Sequence, residues 1–355
     1  MKLFDKESEN KEENAILIGA GSVGKKHALI LSKLVKKLYI VDPDNQSLEW
    51  CKSNLECEVF PYKSLRDVFD HADSSLMGSS ALIANWGVDH TKTFFELSNH
   101  GIKGVFLEKP FSHSIKNIDD IVDFSITNKI NLVSGFQLRH SGLGDLIKSI
   151  SKQFLGSEPT LMTVDGGANC IVTNGIHYLD LACSIFNSDP TEVNAQMKDY
   201  KINPRGKHLG FWEGFSSWKF PNDCQLSVVF SNQSSVSICC KIYGKNGFLI
   251  ISDESKFAKI STYIRSVDEI KNDPRITAYG PAKLDKTKTI KHNLIDTVKD
   301  MLLSLMNSKH IFNIDRESVA AKAIIGALIS SELNEAVNLP ITKKHELYQK
   351  EWPVS

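Results

Sequence analysis

No apolar run in these 355 residues reaches the roughly 18 needed to span a bilayer, so no membrane-crossing helix is expected. The most apolar candidate, Val319 to Ile329, is short and carries Lys322. An excess of one charge is also missing. Lys+Arg and Asp+Glu both number 42, for a formal net charge of +0. A nucleic-acid binder normally needs a basic face to neutralise phosphates, so neither a nucleic acid nor a membrane is an expected partner. Residues 1–14 are polar and acid-rich and lack the apolar core of a secretory signal. Cysteine is sparse and unpatterned. Seven occur, at positions 51, 57, 170, 183, 224, 239 and 240, with no C-x-x-C pair among them. The adjacent Cys239 and Cys240 lie in an apparent strand and would point to opposite faces. This is the usage of reduced thiols in a cytoplasmic protein, with neither a disulfide framework nor a metal site. Internal repeats and low-complexity linkers are absent as well.

What remains is an ordinary globular composition, 41% hydrophobic and 24% charged, with length enough for two domains. Within an expected first domain of residues 1–140, residues 15–140 alternate short apolar runs with amphipathic stretches. Ala15–Ile18, Leu38–Val41, Glu58–Phe60, Ala81–Ala84, Gly104–Leu107 and Ile130–Val133 read as strands. Helical spacing marks 23–34, where Val23, His27, Ile30, Leu31 and Leu34 share a face, and also His90–His100 and Ile115–Lys129. Fully apolar strands alternating with helices predict an α/β, Rossmann-type, doubly wound parallel sheet covered on both faces. Residues 141–355 change rhythm. A helix at 143–154, a strand at 161–164 and a helix at 175–186 precede strands at 193–197, 214–220, 225–231, 235–242 and 248–251. Asn246-Gly247 is a hairpin signal between the last two. Two helices, at 291–307 and 315–337, follow. This predicts a C-terminal α+β domain with a mainly antiparallel, open-faced sheet.

Gly19-Ala20-Gly21-Ser22-Val23-Gly24 follows the first strand and opens the first helix, the context in which G-x-G-x-x-G has physical meaning. The first glycine permits the turn, the second admits the pyrophosphate, and the third allows close helix packing. The helix N-terminus presents unpaired N–H groups and a positive dipole end. Asp42 ends the second strand, eighteen residues after Gly24, where a carboxylate would accept from ribose hydroxyls. It would also repel the extra phosphate of NADP, so NAD is the expected cofactor. The plain alternative is a glycine-bearing turn with a surface aspartate.

Ligands of such sheets sit beyond the carboxyl ends of the strands, which draws together Asn85-Trp86, Glu108-Lys109-Pro110 and Gly135-Phe136-Gln137. A lysine held in a partly dry pocket can exchange a proton; a solvated strand-end lysine is the alternative. Glu108 reads as structural, or as a backbone contact to cofactor. Gln137 is placed on the nicotinamide side, and Arg139 and His140 at the domain junction. In the second domain, Gly175-Ile176-His177-Tyr178-Leu179-Asp180 sets His177 and Asp180 on one helix face. There the histidine suits a proton relay; a core or capping histidine is the alternative. Lys198, Lys201, Arg205, Lys207 and His208 form a basic stretch that suits a phosphate-bearing substrate or simply a solvated loop.

Taken together, Gly19 to Gly24 with His27 behind them, Asp42, His90, the tripeptide Glu108-Lys109-Pro110 and Gly175-x-His177-x-x-Asp180 resemble the Gfo/Idh/MocA family along the whole chain, with the tripeptide as the specific element. The resemblance implies a hydride transfer between nicotinamide and a hydroxyl carbon of a sugar, cyclitol or nucleotide sugar. It implies catalytic roles for Lys109 and His177, with Asp180 beside them, and a Lys109–Pro110 bond that is often cis. The expected cofactor contacts are Gly19 to Gly24, Asp42, Asn85, Trp86, His90, Glu108, Lys109 and Gln137. The expected substrate contacts are Lys109, Arg139, Thr173, Asn174 and His177. The resemblance also implies a homodimer or homotetramer formed through the open sheet face. Two departures stand out. Thr173 occupies the place of the family's usual aspartate, and Asn85-Trp86 replaces the usual Thr-Pro. Thr173 shifts the main acid/base role toward Lys109 and keeps open a non-catalytic, dinucleotide-binding regulator. A third alternative is a bound cofactor recycled within a redox-neutral reaction.

Overall fold

The computed structural model describes residues 11–71, 76–199, 203, 206–254, 257–265, 268, 282–291, 293–307 and 310–355. The apolar runs become strands β1 (Glu12–Ile18), β2 (Val35–Val41), β3 (Glu58–Tyr62), β4 (Ser80–Ile83), β5 (Gly104–Leu107) and β6 (Asn131–Ser134). All pair in parallel, in the order β3-β2-β1-β4-β5-β6, which is the expected doubly wound sheet. Every residue of β4 and β5 is buried, so these strands show no alternation, as strands covered on both faces should not. The helices between them are α1 (Ser22–Leu34), α2 (Asn45–Asn54), α3 (Leu65–His71), α4 (His90–Asn99) and α5 (Ile115–Asn128).

Helices α2 and α3 go beyond the sequence expectation, and each has a local cause. The Asp44 carboxylate accepts from Gln46 N and Ser47 N, capping α2. Ser64 Oγ accepts from Asp67 N and donates back to the Asp67 carboxylate, which holds the start of α3.

The second sheet contains β7 (Leu161–Gly166), β8 (Glu192–Asp199), β9 (Trp212–Lys219), β10 (Gln225–Phe230), β11 (Cys239–Gly244), β12 (Gly247–Glu254), β13 (Phe257–Ile264), β14 (Lys283–Lys291) and β15 (Val337–Asn338). Its order is β14-β13-β12-β11-β7-β10-β9-β8-β15, antiparallel apart from the parallel pair β7–β10. Helices α6 (Gln137–His140), α7 (Leu143–Ile150) and α8 (Ile176–Phe186) belong to the same unit. One sheet face is buried: Met162, Val164, Trp218, Leu226, Val228, Cys240 and Ile242 lie together there. The other face mixes apolar and polar groups. The exposed Phe215 and Val229 pair across β9 and β10, but Ser217, Ser227 and Asp165 surround them in register. The segment expected as a strand from 235 is ordered as a strand only from Cys239, and Cys240 is buried beside the half-buried Cys239.

The later helices are α9 (Leu294–Met306) and α10 (Ile314–Leu333). Helix α10 stops short of the expected 337. Asn334 turns left-handed at φ 54° and Glu335 N donates to Ser330 O, a closing motif that leaves Val337–Asn338 free to pair with β8.

Two compact units emerge: residues 1–135 with 295–321 and 349–355, and residues 136–294 with 322–348. The chain returns to the first unit because α9 completes its core. Val298, Met301, Leu302 and Leu305 are buried in one cluster with Ala15, Leu17, Leu38 and Phe106.

Candidate active site

In the first unit, the residue after each of β1, β4, β5 and β6 is tied to a neighbouring strand. Gly19 N donates to Val41 O (2.8 Å), Ala84 N to Ile18 O (2.7 Å), Glu108 N to Ile83 O (2.9 Å) and Gly135 N to Leu107 O (2.9 Å). These bonds bring Gly19–Gly24, Asp42, Asn85-Trp86 and Glu108-Lys109 to one edge of the sheet. That edge includes the switch point, where β1 pairs with β2 on one side and β4 on the other.

The three glycines of the turn have different reasons to be glycine. A Cβ on Gly19, whose φ is +90°, would lie 2.6 Å from the backbone of Ala84 and Asn85, and one on Gly24 would lie 1.9 Å from Gly19 O. The fold itself requires both. Around Gly21 nothing lies within 4 Å of a Cβ position, and its φ of −68° suits any residue. Its open surface is what a phosphate group approaching the backbone requires. Gly21 also N-caps α1 without offering a side chain, and no acidic residue stands in the first turn, so the helix N–H groups face an anion unopposed. The turn therefore fits a dinucleotide pyrophosphate.

Asp42 closes the cradle. Its Oδ2 accepts from Ala20 N (2.6 Å) and its Oδ1 from Asp44 N (2.8 Å), which fixes the carboxylate against the turn. Each oxygen keeps a lone pair for a ribose hydroxyl. Replacing Asp42 with Asn should raise the Kd for NAD by about tenfold and lower the ratio of the NADP Kd to the NAD Kd by a similar factor, since bonds to a charged group contribute about 1.5–3 kcal/mol. Calorimetric titration with both dinucleotides checks this, and an unchanged preference would remove Asp42 from cofactor choice.

Lys109 is half-buried at the end of β5, and its bond to Pro110 is cis, as the resemblance implied. Glu108 turns inward and is 5% exposed. Its Oε1 meets His27 Nε2 at 2.6 Å, and its Oε2 accepts from Lys109 N at 3.1 Å. Sequence reasoning noted His27 but gave it no partner, because the two residues are 81 positions apart. Trp86 stands 47% exposed beside Asn85, whose side-chain amide donates to Thr93 Oγ1.

His90, expected at the cofactor, is instead 1% exposed. Its Nδ1 lies 2.8 Å from Pro110 O and its Nε2 3.1 Å from Asn85 O. It braces the loops after β4 and β5 from beneath. Burial pushes its pKa below the ordinary value, against the pull of the two carbonyls. The folded protein thus keeps His90 neutral while the unfolded chain protonates below about pH 6.5. Stability contributed by the neutral ring is complete above that pH and is lost as pH falls. The melting temperature should drop between pH 7 and pH 5, and His90→Asn should flatten part of that slope. Equal slopes in the two proteins would refute the assignment.

In the second unit, α6 and α8 carry the other expected residues. Arg139 Nε pairs with Asp180 Oδ2 at 3.2 Å, with side-chain exposures of 11% and 2%. Asp180, expected beside the proton-transfer chemistry, is thus engaged by a guanidinium. Arg139 also lies over the Phe136 ring (5.7 Å), and that ring meets His177 edge-on at 6.3 Å. Gln137 opens α6 and is half-buried. Thr173 is buried in the wide turn Ile171–Gly175 ahead of α8, where its hydroxyl donates to Asn174 Oδ1 at 3.3 Å. Asn174 Oδ1 also accepts from Cys170 N. Lys198, Lys207 and His208 are exposed, whereas Lys201 and Arg205 lie outside the described residues.

A glycine turn fitted to pyrophosphate, at the switch point of a parallel sheet, defines the class: a dinucleotide-binding unit of the Rossmann type. Residues 14–136 match the model of the Gfo/Idh/MocA family, described as an oxidoreductase family with an NAD-binding Rossmann fold. No curated protein matches the chain. Among solved structures, the chain is similar to myo-inositol 2-dehydrogenase from Lactobacillus plantarum, with 17% identity, TM-score 0.68, and coverage of 92% of this chain and 99% of that one. It is similar to an oxidoreductase from Agrobacterium radiobacter in complex with NAD+, L-tartaric acid and magnesium (17% identity, TM-score 0.68, 92% and 98% covered). It is also similar to scyllo-inositol dehydrogenase from Lactobacillus casei with bound NAD(H) and scyllo-inositol (15% identity, TM-score 0.66, 92% and 99% covered). At these identities the likeness establishes the fold of both units. Among the described residues, no helix is long and apolar enough to cross a membrane.

Proposed function

We propose that this protein is an NAD-dependent dehydrogenase that interconverts a secondary alcohol and a ketone on a sugar, cyclitol or nucleotide sugar. The observation that carries the reading is the half-buried Lys109, held at the same sheet edge as a glycine turn whose middle glycine has no internal reason to be one. Gly19–Gly24 and Asp42 would hold the dinucleotide, with Asn85, Trp86 and the Lys109 backbone beyond them. Bound there, the nicotinamide supplies the acceptor for the carbinol hydride. Lys109 takes the hydroxyl proton in oxidation and returns it in reduction, assistance typically worth 10²–10⁴ in rate. His177 is the second proton-transfer group of this proposal, with the buried Arg139–Asp180 pair tying α6 to α8, the helix that bears it. Gln137 and Asn174 are assigned to binding. NAD is preferred over NADP because of Asp42.

Polyol-bound relatives of this fold support the substrate class: one neighbour holds scyllo-inositol and another L-tartaric acid. Free thiols at all seven cysteines agree with a reducing, cytoplasmic setting. The open face of the second sheet is the surface proposed for self-association. Incubation with NAD+ and a panel of inositols, sugars, aldonic acids and nucleotide sugars, followed at the absorbance of reduced nicotinamide, tests the reading. Absence of reduction across the panel, with NAD binding intact, would favour a non-catalytic, dinucleotide-responsive regulator. Thr173 is the observation that favours that second reading, since a hydroxyl cannot stabilise an imidazolium as a carboxylate does.

A further inference from the structure

We propose that His27 and Glu108 are positioning residues that register Lys109 against the helix receiving the cofactor phosphates. The inference rests on the dehydrogenase reading for its kinetic consequence, but the link itself is a property of the first unit. His27 lies on α1, the helix that begins at the glycine turn. Glu108 immediately precedes Lys109. The carboxylate spans the gap, with Oε1 on the imidazole at 2.6 Å and Oε2 on the Lys109 amide N–H at 3.1 Å. Both side chains are almost fully buried, at 5% and 6% exposure.

Two further features show that the carboxylate is held in one place. First, a Cβ on Gly135 would lie 2.8 Å from Glu108 Oε2 and 3.0 Å from its carboxyl carbon, so glycine at the end of β6 leaves just enough room for that group. Second, the His27 ring packs against Phe106 on β5, with centroids 5.4 Å apart. Among the described residues, the other ring nitrogen, buried Nδ1, has no hydrogen-bond partner, so the Glu108 contact is the one hydrogen bond of the ring. The Glu108 carboxyl group thus meets the phosphate-binding helix through one oxygen and the backbone of Lys109 through the other. A shift of α1 relative to β5 is thereby transmitted to the Lys109 backbone through two bonds.

The test uses His27→Leu, which removes the donor, His27→Gln, which restores one, and Gly135→Ala, which crowds the carboxylate without removing a buried partner. Two quantities are read. One is kcat, KM and NAD affinity with whichever alcohol is turned over. The other is the acetylation rate of Lys109 by acetic anhydride, measured by peptide mass spectrometry against exposed Lys52 as internal standard. His27→Leu and Gly135→Ala should each lower kcat by about 10²-fold, as a misplacement of about 1 Å does, while leaving NAD affinity within about threefold. Both should also change the relative acetylation rate of Lys109 by about threefold or more, and His27→Gln should restore both quantities. Should His27→Leu fail to fold, Gly135→Ala alone decides. Wild-type kcat and acetylation in folded His27→Leu or in Gly135→Ala would overturn the link and leave the dehydrogenase reading standing. If the unaltered protein turns over no alcohol, that reading fails, and the acetylation rates still judge the link.

Discussion

Lys109→Ala should lower kcat by roughly 10²–10⁴ and leave NAD affinity nearly unchanged, because general acid–base assistance is lost while the phosphate cradle is untouched. The side chain is half-buried at a strand end, and the strand itself is held by Val105, Phe106 and Leu107, all fully buried. The fold should therefore tolerate the truncation. Lys109→Arg separates charge from proton exchange. Guanidinium preserves the positive charge but cannot deprotonate near neutrality, so it should be almost as inactive as alanine. Added primary amines should restore part of the alanine variant's rate. Normal turnover by either variant would end the mechanism, and a parallel loss of NAD binding would reassign Lys109 to the cofactor.

The glycine turn should split into two opposite phenotypes. Gly24→Ala places a methyl group 1.9 Å from the Gly19 carbonyl oxygen, a backbone atom fixed by the Gly19 N–Val41 O bond, so neither side can yield. A loss of about 3 kcal/mol or more is expected. In a unit of this size that corresponds to a fall in melting temperature of about 6–12 °C, measurable by calorimetry. Gly21→Ala meets open space, and its stability should remain within about 0.5 kcal/mol of the parent. Its NAD affinity should nonetheless fall by about tenfold or more, since the methyl occupies the approach to the backbone amides. NAD binding that survives Gly21→Ala unchanged would dissociate this turn from the pyrophosphate.

The sequence made the first sheet legible because its strands are buried on both faces and so appear as unbroken apolar runs, as in Ala15–Ile18 and Gly104–Leu107. The cradle was legible because its chemistry is local, compressed into six consecutive residues. The Asp44 and Ser64 caps are equally local and could have revealed α2 and α3. They were obscured because the helices they start are short and bury few side chains, Ser47, Leu48 and Cys51 in α2 and Leu65 and Val68 in α3. Strand β14 was not anticipated, because Lys283, Lys286 and Lys288 punctuate it. Its position at the sheet edge explains the lysines, which discourage pairing with another chain. What stayed hidden was contact across long stretches of chain. Nothing near His27 announces Glu108, and nothing near Asp180 announces Arg139. The polarity of the open face was likewise out of reach, because it depends on the register that sets Ser217 beside Ser227 and Phe215 beside Val229.

The filling of the first unit's core by Val298, Met301, Leu302, Leu305 and Phe312 has a consequence during translation. A ribosome that has completed β6 must still synthesise beyond Phe312 before those side chains reach the sheet, a delay of roughly 10–35 s at 5–20 residues per second. Throughout that interval the nascent nucleotide-binding half presents uncovered aliphatic surface around Leu17, Leu38 and Phe106. Chaperone engagement should therefore concentrate on this half until the late helix arrives.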